Sequence, residues 1–279
     1  MKLNFAKMHG CGNDYIYFDC FRQKVPDPAA LSRRLSQPHF GIGADGIILI
    51  EPSKTADARM RIFNKDGSEG KMCGNGIRCT AKYLYDTGTV SKETMKIDTL
   101  SGIKELHLSI KDGKTQLVSV DMGPAVFQPE EIPVLLSGSE VIGYPLEADG
   151  KTWKITCVSM GNPHCVIFGE DPDLIDLPKE GSAIAASPLF PEGVNVEFIH
   201  PEERNVLKMR VWERGSGETL ACGTGACAAA CAAIKNGLCD KNTEILVRLA
   251  GGDLRIRMTD STVWMTGGAE LVFTGEVEI

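Results

Sequence analysis

Lys71-Met72-Cys73-Gly74-Asn75-Gly76 and Leu220-Ala221-Cys222-Gly223-Thr224-Gly225 set a cysteine before a glycine in the same frame, 149 residues apart. Each opens a segment that closes on a glycine, Gly88 or Gly237, 15 residues after its cysteine. The same spacing, without gaps, pairs Gly12-Asn13 with Gly161-Asn162, Gly46 with Asn195, Pro52 with Pro201 and Arg61 with Arg210, then Leu100 and Gly102 with Leu249 and Gly251. One spacing held over about ninety residues is an internal duplication, and a repeat this long means two related domains rather than a solenoid.

Beyond Gly102 the spacing shortens to 144, pairing Val120-Asp121-Met122-Gly123-Pro124-Ala125 with Trp264-Met265-Thr266-Gly267-Gly268-Ala269, so the second copy is five residues shorter there. The organisation expected is a first repeat over 1–127, joined by a final strand in 270–279, and a second repeat over 150–269. Between them, 128–149 is rich in Pro, Gly and acidic residues and reads as a connector.

At 279 residues the chain can bury two ordinary cores. A formal charge of −7 argues against a nucleic-acid partner, which calls for a clustered basic surface. No apolar run reaches bilayer-spanning length, and His9, Gly10, Asn13 and Asp14 interrupt the stretch where an export signal would lie, so a cytoplasmic protein off the membrane is expected. Ten cysteines in a chain of this size and setting are expected to be reduced thiols. No C-x-x-C pair occurs, and Cys222, Cys227 and Cys231 have no nearby His, so no metal site is expected.

Gly223 to Asn236 is composed of small or apolar residues on every face, which predicts a buried helix. Gly237 stands where a left-handed cap belongs, and Gly88 closes the matching Ile77–Thr87 segment. Strands are predicted over 15–18, 47–50, 60–63 and 95–97, and again over 165–168, 196–199, 209–212 and 245–249. Asp27-Pro28 starts a further helix, with Asp as N-cap. The fold class is therefore α+β: two pseudo-symmetric domains, each a mixed, largely antiparallel sheet curled around a central buried helix.

Cys73 and Cys222 fall at the starts of those helices with glycines after them. Open backbone N–H groups and the positive helix end favour a bound carboxylate, and they lower the pKa of a thiol to about 3.5–7.5. The other cysteines read as small buried hydrophobes. Two helix starts brought together across a cleft by a pseudo-twofold axis would set one thiol on each side of a bound molecule. Such a pair suits removal of a proton from one face of a tetrahedral carbon and its return to the other, which inverts that carbon without a metal.

Lys7-Met8-His9-Gly10-Cys11-Gly12-Asn13-Asp14, Arg61 to Ser68, Met72 to Cys79, Ser159 to His164, Gly193 to Phe198 and Glu213 to Thr219 with Cys222 to Gly225 together resemble the diaminopimelate epimerases. The resemblance covers essentially the whole chain. It implies cofactor-independent interconversion of LL- and meso-diaminopimelate for lysine and peptidoglycan precursor synthesis, by a homodimer, with Cys73 and Cys222 as acid and base. It further implies that Asn13, Asn64, Asn162, Asn195, Glu213 and Arg214 hold the substrate's amino and carboxyl groups. Gly74-Asn75 and Gly223-Thr224 would supply amides to the reacting carboxylate, and His164 and Glu213 would adjust the thiols' proton affinity. Where the copies differ, Asn64 faces Glu213, Lys65 faces Arg214, Tyr15 faces His164 and Gly46 faces Asn195 in the alignment. Gly46 departs from relatives that carry a glutamine there. Proline and hydroxyproline racemases share the two-cysteine logic, but resemble M-C-G-H-G at the first cysteine, where this chain has Asn75, and lack the run Glu213 to Thr219.

Overall fold

A computed structural model describes residues 1–279. The chain divides into two compact units, one of Met1–Asp121 with Thr266–Ile279, the other of Met122–Met265.

The first unit runs β1 Lys2–Gly10, β2 Asn13–Asp19, α1 Pro28–Leu35, β3 Gly46–Glu51, β4 Ala58–Asn64, β5 Glu69–Gly70, α2 Gly74–Asp86, β6 Thr94–Thr99, β7 Gly102–Lys111 and β8 Lys114–Asp121. The pairs β1–β2, β3–β4, β6–β7 and β7–β8 are antiparallel. Only β2–β3 and β4–β6 are parallel, and α1 and α2 are the crossovers that parallel neighbours require. Strand β3, Gly-Ile-Ile-Leu-Ile-Glu, is apolar without alternation because both its faces are covered. Ile47 and Leu49 join Leu31 and Leu35 of α1 in one apolar cluster, while Ile48 turns toward α2 at Gly76.

The second unit repeats this order: β9 Tyr144–Ala148, β10 Lys151–Ser159, β11 Pro163–Phe168, α3 Leu177–Ala185, β12 Asn195–Glu203, β13 Val206–Glu213, β14 Gly217–Thr219, α4 Gly223–Lys235, β15 Ile245–Leu249, β16 Gly252–Met258 and β17 Val263–Gly267. Again only β11–β12 and β13–β15 are parallel. Finally β18, Glu270–Glu278, returns to the first unit and pairs antiparallel with β1. Strand β9 lies against β10 in the same way, so the 128–149 segment contributes an edge strand to the second unit. It contributes core as well, through Ile132, Val134, Val141 and Leu146. Strand β18 spans nine residues, and Leu271, Val272 and Phe273 in it are all half-exposed.

Helix α4 shows why its sequence is so plain. It touches β10, β11, β12, β13, β15 and β16, and a helix ringed this closely by strands has room for little beyond alanine, cysteine and glycine, with alanine also the best helix former. Gly237 and Gly88 adopt positive φ, 73° and 72°, as the caps require. Asp27 caps α1 by accepting from Ala30 N at 3.0 Å. Asp176 does the same for α3, accepting from Lys179 N at 3.3 Å. No helix is long and apolar enough to cross a membrane.

No disulfide links any of the ten cysteines. Burial pushes the thiols of Cys20, Cys79 and Cys231 from 9.0 up to about 12. Their folded pKa lies above the unfolded one, so the stability they contribute is complete below pH 9 and is lost as pH rises toward 12. Under reducing conditions the melting temperature should therefore fall as pH rises from about 9 toward 12, and a flat profile there would show that these thiols ionise inside the fold.

Candidate active site

Both cysteines are helix N-caps. Cys73 is extended (φ −136°) ahead of α2, and its Sγ accepts from Gly76 N at 3.3 Å. Cys222 is extended (φ −115°) ahead of α4, and its Sγ accepts from Gly225 N at 3.4 Å. A glycine three residues after each sulfur is a packing requirement. A Cβ on Gly76 would stand 2.6 Å from Ile48 Cδ1, and one on Gly225 2.7 Å from Glu197 Oε1.

In the first unit the Cys73 thiol donates to Asn13 Oδ1 at 3.3 Å, and Asn75 Nδ2 donates to the same oxygen at 3.3 Å. Asn13 is held from its other end by Asp45, whose Oδ2 accepts from Asn13 Nδ2 at 2.7 Å. Sequence reading alone does not mark Asp45. Its signal is weak, a single acid before Gly46 in a glycine-rich loop, but it fixes which end of the Asn13 amide meets the sulfur. Asn75 is buried, and its Oδ1 has no hydrogen-bond partner. Asn64 lies outside this cluster and donates to Ser68 Oγ at 3.0 Å. Behind the cysteine, the fully buried Arg78 donates to Gly74 O at 3.1 Å and Gly268 O at 3.2 Å.

The second unit carries a longer chain of bonds. Thr224 Oγ1 lies 3.5 Å from Cys222 Sγ and accepts from Asn162 Nδ2 at 3.3 Å. Asn162 Oδ1 meets His164 Nε2 at 3.1 Å, and His164 Nδ1 meets Glu197 Oε1 at 2.6 Å, with His164 and Glu197 both fully buried. Glu213 Oε1 accepts from Thr219 Oγ1 at 2.5 Å. Asn195 is turned into the structure, donating to Pro163 O at 3.0 Å and accepting from Arg214 N at 2.9 Å, while Arg214 Nη1 donates to Glu192 O at 2.9 Å.

The thiols do not have the low pKa that a helix start alone suggests. Burial raises Cys73, and the Gly76 and Asn75 amides, the Arg78 charge and a hydrogen bond from Tyr15 only partly oppose it. Cys222 is pushed well above its ordinary value, by burial first and then by the charges of Glu213 and Glu197. Desolvation of the thiolate outweighs one or two N–H donors. Burial also raises the Glu213 carboxyl.

Gly46 is a glycine because β3 and β4 approach closely there: a Cβ would lie 2.2 Å from Phe63 O and 3.1 Å from Asn64 Cα. Gly46→Gln should therefore lower stability by about 1–3 kcal/mol as the strands part, read as a drop in melting temperature. An unchanged melting temperature would show that β3–β4 adapts freely.

Two duplicated units thus each bear an N-cap cysteine among amides. The diaminopimelate epimerase family model matches residues 5–128 and 156–272. The chain belongs to the diaminopimelate epimerase family. A diaminopimelate epimerase of Acetivibrio thermocellus is 50% identical over 279 residues, covering 99% of each chain. One of Methanococcus maripaludis is 48% identical, covering 99% of this chain and 100% of its own. Among solved structures, a Bacillus anthracis phenazine biosynthesis protein of the PhzF family superposes with a TM-score of 0.72 at 18% identity, covering 100% of both chains. A probable proline racemase of Agrobacterium radiobacter does so at 0.71 and 15%, covering 99% of this chain and 93% of its own. These two share the fold. The activity of the diaminopimelate epimerase family is isomerisation of diaminopimelate stereoisomers, and this chain is an epimerase of that family.

Proposed function

We propose that the chain interconverts LL- and meso-diaminopimelate by passing protons through Cys73 and Cys222, one sulfur taking the α-hydrogen as thiolate while the other, a thiol, delivers a proton to the opposite face. The observation that carries this reading is the matched placement of the two sulfurs, each an N-cap taking an N–H from the third residue after it. A carbanion formed at the α-carbon spreads charge onto the neighbouring carboxylate, and the amides of Gly74-Asn75 and Gly223-Thr224 are suited to stabilise that charge more strongly than the ground state. After one turnover the thiol and thiolate have exchanged roles, so the enzyme is then set for the reverse direction.

Asn13, Asn162 and Arg214 are assigned to the substrate's amino and carboxyl groups, together with Asn64 and Glu213. Asn195 is assigned indirectly, since its side chain holds the Arg214 backbone. Exchange of the substrate α-hydrogen in deuterated water, assayed with LL- and meso-diaminopimelate against proline and hydroxyproline, tests the reading. Exchange confined to diaminopimelate supports it, and exchange of proline instead would overturn the substrate assignment. The same reading expects a homodimer, which sedimentation measures directly.

A further inference from the structure

We propose that Glu197 is a positioning residue of the second half-site, a buried carboxylate that acts on Cys222 across the first turn of α4 and holds the ring of His164. This rests on the reading of Cys222 as a proton carrier. The 149-residue spacing places Glu197 opposite Ile48, so the two copies fill the same inward position of the same strand with a carboxylate and with an apolar wedge. Both side chains reach the same point, the glycine whose N–H bonds the sulfur, Ile48 at Gly76 and Glu197 at Gly225.

A fully buried carboxylate in place of isoleucine is costly unless it is used. One oxygen is occupied by His164 Nδ1 at 2.6 Å, and the other, Oε2, is buried with no hydrogen-bond partner. The groups facing it are His164 from β11, Glu213 from β13 and Cys222 from the start of α4, and Cys165 on the other face of β11 also feels its charge. Glu197 therefore bears on the sulfur in two ways. Its charge favours the proton-bearing form of Cys222. Its bond to His164 begins the chain through Asn162 and Thr224 that ends at that same sulfur.

Two further differences point the same way. Asn64 stands in the first copy where Glu213 stands in the second, and Arg78 occupies the first copy where the spacing gives Cys227. Negative charge gathers around Cys222 and positive charge behind Cys73.

The test is the pH dependence of alkylation by iodoacetamide, followed by peptide mass spectrometry so that both sulfurs are read in one digest. The midpoint is compared rather than the rate, because Cys222 is largely covered. Glu197→Gln keeps an oxygen for His164 and removes the charge. The Cys222 midpoint should fall by about 0.5–1 pH unit, roughly three- to tenfold more thiolate at a given pH below it, while that of Cys73 stays in place. Glu197→Asp, which retains the charge, should move it less. An unmoved Cys222 midpoint in folded Glu197→Gln protein, or equal movement of both sulfurs, would overturn the proposal.

If Glu197→Gln does not fold, wild-type protein provides a second measurement. Alkylating Cys222 should displace the Glu197 carboxyl carbon resonance, and its failure to move would be equally decisive. Neither measurement uses substrate, so loss of the diaminopimelate assignment and loss of this one are separately visible.

Discussion

Alanine at Cys73 or at Cys222 is expected to abolish epimerisation, a loss of about 10²–10⁴-fold or more, since a positioned proton carrier contributes that range. The fold should survive, because the N-cap bonds lost, from Gly76 N at 3.3 Å and from Gly225 N at 3.4 Å, are each worth about 1 kcal/mol. Serine sharpens the test. It is among the preferred N-cap residues, so Cys73→Ser and Cys222→Ser should melt at or above the wild-type temperature, yet a hydroxyl is too weak an acid to replace the thiol. Stability and turnover should thus move in opposite directions, measured by thermal denaturation and by the isomer ratio at equilibrium and before it. Near-normal turnover in either alanine variant would end the two-thiol mechanism.

Glu213→Gln is expected to reduce kcat by roughly ten- to a hundredfold while leaving the fold in place. The carboxyl is largely buried, its charge is one of the two that raise Cys222, and its Oε1 takes the Thr219 hydroxyl at 2.5 Å. Glutamine keeps an acceptor for Thr219, so what is lost is charge. Each unit of proton affinity removed from Cys222 is worth about 1.4 kcal/mol, or tenfold. The same change in the first copy has no counterpart, since Asn64 is already neutral there. A variant that keeps wild-type kcat and KM would remove Glu213 from the site.

The residues assigned to recognition fall into two groups in the structure. Cys73 and Asn75 share the Asn13 side-chain oxygen, and Asn162, His164, Thr224 and Cys222 form one chain of bonds, so the structure brings each of these groups together. Asn195 instead is spent on backbone groups, and Asn64 bonds within its own turn. Sequence reading leaves Asp45 and Glu197 unassigned, one on a loop and one in a strand, because neither lies near its cysteine along the chain. Glu197 had a usable signal, an acid set against Ile48 of the other copy inside an apolar strand. The same spacing carries Asp27 onto Asp176 and would have located α3, which periodicity alone did not mark.

Duplication, the buried alanine-rich helix, its caps and the two N-terminal cysteines were determined by the sequence alone, because each is written in local pattern: a constant spacing, a run without polar residues, a glycine at a left-handed position. Tertiary structure decided what surrounds the sulfurs. Strands distant in sequence bury Cys222, cover Cys73 in part, and set Glu197 and Glu213 near the former and Arg78 behind the latter, so desolvation and unlike charges override the helix ends and raise both thiols, Cys222 further. Proton affinity is a property of everything within a few ångströms, and folding alone determines what those neighbours are.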